Sequence, residues 1–195
     1  SSDLELSGGS LVGTKARDNG TRRGLYSDQP MPATGQHYWE VVYEHPDKSG
    51  NLDECYVGVV RRAALDADVD PYNKSGTWAI SYWSDGDSLK QDGSSMGISL
   101  PSGNSRAYGD RIGVLADRDA GTLTFYRNGS PIPKAVIPGV PQGEDLHIMV
   151  TLYYTREKAT LSFPGLPGSW RTFSSRLKSS DLELSGGSLV GTKAR

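Results

Sequence analysis

Three histidines, one cysteine and two acidic loops are the residues of this chain whose types suit catalysis or metal binding. A zinc site needs His and Cys ligands at short paired spacings, and His37, His45, His147 and Cys55 show none. Cys55 heads an apolar run and reads as a small buried hydrophobe rather than a nucleophile. His37, beside a strand, and His147, within one, read as hydrogen-bonded structural residues. Asp66-x-Asp68-x-Asp70 begins like a calcium loop, but Pro71 stands where that loop needs Gly and Thr77 where it needs a bidentate Glu. It reads as a solvated acidic loop, and Asp85-Gly86-Asp87 as a turn. Gly8 to Lys15 looks like a phosphate loop, yet its order Gly13-Thr14-Lys15 lacks the required Gly-Lys-Ser/Thr. The expectation is a non-enzymatic chain with no cofactor and no metal.

The elements around these residues are short apolar runs divided by turn clusters, the pattern of an all-β sandwich or barrel. Tyr38 to Tyr43, Cys55 to Val60, Trp78 to Trp83, Arg111 to Asp117, Thr122 to Arg127, Ser130 to Val136, Leu146 to Tyr154 and Ala159 to Phe163 read as strands. Gly58 marks a place where another backbone approaches closely. Asp85-Gly86 and Asn128-Gly129 are hairpin signals, since both central residues of a tight hairpin need positive φ. No stretch keeps a 3.6-residue apolar period, and Arg61 to Asp68 is the best place for one helical turn.

The first seventeen residues, Ser1 to Arg17, return letter for letter as Ser179 to Arg195. Such identity reads as the start of a next unit in a tandem array or as a deliberate duplication. Leu4, Leu6, Leu11 and Val12 around Gly8-Gly9 read as a hairpin, so the chain holds two copies of an element for which one domain has one place. Residues 1–163 are expected to form the domain, 164–178 a Pro/Gly/Ser-rich linker or wrapping segment, and 179–195 the copy. Hydrophobic content of 35% is low, but 24 Gly and 10 Tyr point to turns and an aromatic core rather than disorder. A net charge of −2 without a basic block argues against nucleic acid. No long apolar run argues for a membrane span or a signal peptide. One cysteine permits no internal disulfide, and the three Asn-x-Ser/Thr triplets read as turn chemistry, so an intracellular, cytoplasmic setting is expected.

Gly35-x-x-Tyr38-Trp39-Glu40-Val41, Val57-Gly58-Val59, Trp78-Ala79, Tyr108-Gly109-Asp110-x-Ile112-Gly113-Val114 and Leu123-x-Phe125-Tyr126-x-Asn128-Gly129 follow one another in order. That succession, spanning roughly Leu4 to Phe163, closely resembles the SPRY domain family. The resemblance implies a bent antiparallel β-sandwich of two sheets, a concanavalin-like jelly roll, with Trp39 and Phe125 as interior aromatics on facing sheets. It also implies a protein–protein interaction module that recognises a short peptide or loop of a partner through loops at one end of the sandwich. Carried onto this chain, the partner-binding positions are Arg17, Tyr72 and Tyr154 with its neighbour Tyr153, one of which strand alternation should send inward. Trp83, closing a strand before a loop, is a further candidate. The alternative function is a structural repeat unit that assembles into an array or fibre by exchanging the duplicated hairpin between neighbouring copies.

Overall fold

Strands account for nearly all regular structure in the computed structural model, as alternating apolar positions between turn residues demand. The structure describes residues 4–7, 12–16, 22–48, 54–65, 74–82, 87–98, 100, 107–164 and 182–184. In chain order the strands are β1 (Leu4–Ser7), β2 (Val12–Lys15), β3 (Arg23–Tyr26), β4 (Gln36–Glu44), β5 (Cys55–Arg61), β6 (Thr77–Tyr82) and β7 (Ser88–Gln91). There follow β8 (Ser94–Ser95), β9 (Arg111–Asp117), β10 (Thr122–Arg127), β11 (Ser130–Ile137), β12 (Leu146–Leu152), β13 (Lys158–Ser162) and β14 (Leu182–Leu184). The one helical turn expected after β5 is a 3-10 turn at Arg62–Ala64.

Eight strands form one sheet, in the order β11-β10-β9-β4-β13-β2-β1-β14, and six form the other, in the order β3-β12-β5-β6-β7-β8. Pairing is antiparallel throughout the described residues except between β1 and β14, which run parallel. Alternation along β4 sends Trp39, Val41 and Tyr43 into the interior and leaves Tyr38, Glu40 and Val42 partly exposed. These meet Val57, Val59, Ile80, Ile148 and Val150 of the six-stranded sheet in one core. Each large apolar side chain so buried contributes about 1.5–3 kcal/mol.

Two features of the core depart from what the pattern suggests. Trp39 and Phe125 are both fully buried, but on the same sheet rather than facing ones. Each lies opposite Val114 of β9, so the three form a row across adjacent strands, and residues in one row share a face. β5 and β12 are buried on both faces because a second cluster, Tyr26, Tyr56, Val60, Ala79 and Met149, covers the outer side together with Ala64 and Leu65.

Register defines two rims. One gathers the ends of β2, β4, β6 and β12 with the starts of β5, β9 and β13: Thr14 and Glu44 both lie opposite Lys158, Tyr82 opposite Cys55, and Val42 opposite Arg111. The two sheets are tied at this rim by Tyr43, whose hydroxyl reaches Tyr56 O at 3.2 Å and Thr151 O at 3.1 Å. The other rim carries the end of β5 and the start of β6, with Arg61 opposite Leu146 and Val60 opposite Thr77.

Candidate partner-binding rim

At the first rim, β12 stops at Leu152 and β13 resumes at Lys158, and the turn between them is built on a buried acid. Glu157 is fully buried. Its Oε2 accepts the backbone N–H of Tyr153 at 2.7 Å and of Tyr154 at 3.3 Å. Its Oε1 accepts the Tyr108 hydroxyl at 3.0 Å and the Cys55 thiol at 3.4 Å. Burial raises the Glu157 pKa above the usual carboxylate range, and these four donors only partly offset it. The backbone completes the anchor: Lys15 N–H donates to Glu157 O at 2.9 Å and Arg156 N–H to Lys15 O at 2.6 Å. Arg156 adopts a φ of 68°, the left-handed bend that lets the turn close.

Above this base stand aromatic rings and cations. Tyr153 and Tyr154 meet edge to face with centroids 5.0 Å apart. Tyr154 also meets His45 edge to face at 6.5 Å, and His45 tilts against Tyr108 at 5.9 Å. Lys48 Nζ lies 3.2 Å from the Tyr154 ring centre, and Lys15 and Arg22 lie 5.3 and 5.6 Å from that of Tyr153. His45 Nε2 sits 2.8 Å from Thr155 O, and its Nδ1 accepts Asp47 N–H at 3.1 Å. Arg156 pairs with Asp47 on the exposed surface, and Arg22 with Glu54. Rings with apolar faces and polar tips, flanked by cations, are the composition of a protein interface anchor. Among the described residues no cluster of three His, Cys, Asp or Glu side chains could hold a metal.

Of the residues expected from sequence to touch a partner, Tyr154 lies in this turn and is half-buried. Tyr153 is half-buried too: the strand ends one residue earlier, so alternation no longer drives either ring inward. Arg17, Tyr72 and Trp83 lie outside the described residues. Lys15 with Ala16, before Arg17, and Tyr82, before Trp83, end at the rim of Tyr154. Arg61 and Thr77, the strand residues on either side of 66–73, lie at the opposite rim. Sequence reading missed Glu157, His45, Lys48, Arg22 and Tyr108 as a group, because they come from four separate connecting segments and only the register brings these together.

The model of the SPRY domain family matches residues 36–165. Among solved structures, the SPRY domain of human HERC1 is 21% identical with a TM-score of 0.62, covering 84% of this chain and 94% of its own. Another human SPRY domain is 18% identical with a TM-score of 0.62, covering 85% and 98%. The TRIM65 PSpry domain is 17% identical with a TM-score of 0.59, covering 82% and 85%. At these identities the likeness to solved structures carries the fold alone. A search of curated proteins finds no match.

Proposed function

The chain belongs to the SPRY domain family, whose members are generally protein–protein interaction modules, and from that premise we propose that it grips a short peptide or loop of a partner protein at the Tyr154 rim. The reading is non-enzymatic, and the observation that carries it is the turn pinned by Glu157. A rigid frame presents Tyr153 and Tyr154 at little further ordering cost, the condition under which aromatic side chains bind well. Arg17, Tyr72 and Trp83 remain part of the proposed contact set. The exposed Lys48 against the Tyr154 ring favours a ligand that brings a carboxylate together with an apolar side chain.

The test uses a displayed peptide library selected against the intact chain. Tyr154→Ala should leave thermal unfolding within a few degrees of the parent and abolish capture of the selected peptides. Undiminished capture by that variant rejects this rim as the site. The alternative, an array unit that passes its first hairpin to a neighbour, has less support, because Leu182–Leu184 pairs with this chain's own β1.

A further inference from the structure

The second copy of the repeated sequence stands beside the first. Leu182, Glu183 and Leu184 of β14 lie opposite Leu4, Glu5 and Leu6 of β1, so each residue meets its own duplicate. The direction and register of β14 are therefore those of β1, and only one strand spacing, about 4.8 Å, separates them. The place that β1 and β2 occupy is defined by β13, where Thr14 faces Lys158, Gly13 faces Ala159 and Val12 faces Thr160. Gly13 is also where the Leu25 side chain leans in: a Cβ there would come within 2.2 Å of Leu25 Cδ1, so that side chain, buried in the core, would have to shift. Gly191 and Thr192 are the matching residues of the second copy.

The contacts of that place cannot tell the copies apart, because the two sequences are chemically the same. Only their tethers differ: residues 18–22 join the first copy to β3, and residues 163–178 join the second to β13. Outside the place, β14 pairs only with β1 among the described strands, whereas β2 inside it pairs with both β1 and β13. We propose that the β1–β2 position against β13 is a binding site for the repeated sequence itself, filled by either copy of the same chain. Whichever copy is outside is left as an edge strand, free to pair with a further molecule.

The test uses the full chain with valine at the two equivalent glycines. Gly13→Val and Gly191→Val should each shift the urea midpoint only slightly, because the unaltered copy takes the position. The double variant should lose far more than the sum of the two shifts. Gly13→Val alone as damaging as the double variant, or a double variant no worse than the singles added, overturns the proposal. A cross-strand disulfide supplies an independent measurement. In the Gly13→Val background, with Cys55→Ala to remove the native thiol, Thr192→Cys with Lys158→Cys should give an intrachain disulfide at high dilution, several-fold more than without Gly13→Val. No intrachain bond in that background, or bonds between chains only, rejects exchange within one molecule.

Discussion

Gly58 shows how a single missing methyl group holds two strands together. A Cβ at this position would stand 2.0 Å from Trp78 O and 2.6 Å from Ala79 Cα, both backbone atoms of the neighbouring strand. Backbone in a ladder cannot rotate away, so Gly58→Ala must prise β5 from β6. We expect a loss of about 3 kcal/mol, the upper part of the usual range for overpacking, read as a fall in urea midpoint with an unchanged denaturant slope. Gly113 makes the useful contrast. Its added Cβ would meet the Tyr38 hydroxyl at 2.2 Å, the far end of a partly exposed side chain, so Gly113→Ala should cost distinctly less. A midpoint for Gly58→Ala no lower than that for Gly113→Ala would show that the two strands can part. The role of Gly58 was legible in sequence, because a glycine in the middle of an apolar strand weakens it unless a neighbouring backbone fills the space its side chain would take. The interior placement of Trp39 and Phe125 was legible as well. Which sheet each belongs to was not, since that depends on the partner strand and not on the residue.

Among the elements, what is local is legible and what is tertiary is not. Asn128 and Gly129 have φ values of 51° and 82°, and the hairpin they were expected to make joins β10 to β11. Asp92 and Gly93 do the same between β7 and β8 with φ of 50° and 79°, a signal passed over because the flanking strands are so short. β3, with its internal Gly24, owes its strand state to pairing with β12 rather than to propensity. The β12–β13 turn was hidden for a related reason. In Thr155-Arg156-Glu157-Lys158 the acid reads as one of several solvated charges, and only the fold turns it inward. Glu157→Gln tests that element. An amide would aim a donor at one of the donor pairs that the carboxylate now accepts, leaving buried N–H or O–H groups unsatisfied at about 1–3 kcal/mol. The expected result is a lower unfolding midpoint and faster amide exchange at Tyr153 and Tyr154. Unchanged exchange at both amides would mean that the turn does not depend on its acid.

At the scale of the whole molecule, two buried groups on opposite rims couple stability to pH with opposite signs. Burial depresses the His147 pKa, with the nearby Arg62 charge adding to the effect and a bond to Ser27 O at 2.8 Å opposing it. Its Nε2 is buried without a hydrogen-bond partner, which leaves a second ring proton nowhere to go. In the unfolded chain the same ring titrates near its ordinary value of about 6.5. As pH falls through that value the unfolded state takes up a proton that the native state refuses, so stability falls. Glu157 acts the other way, at lower pH. Its folded pKa lies above the ordinary carboxylate value, so on acidification the native state binds a proton before the unfolded state does, and stability is partly regained. Below that window Asp110 reverses the trend again. Burial raises its pKa, but hydrogen bonds from Asn128, the Ala107 N–H and Arg127 outweigh it and hold it below the ordinary value. The chain carries a net charge of only −2 at neutral pH, so self-repulsion is small here. The urea midpoint should therefore drop between about pH 7 and pH 5.5, the interval spanning the ordinary histidine pKa. His147→Gln keeps a donor toward Ser27 O but cannot take up a proton, and should flatten that drop. His37 and His45 are present in both proteins, so the difference between the two pH curves isolates His147. Parallel curves would mean that the buried imidazole is protonated as readily in the fold as out of it.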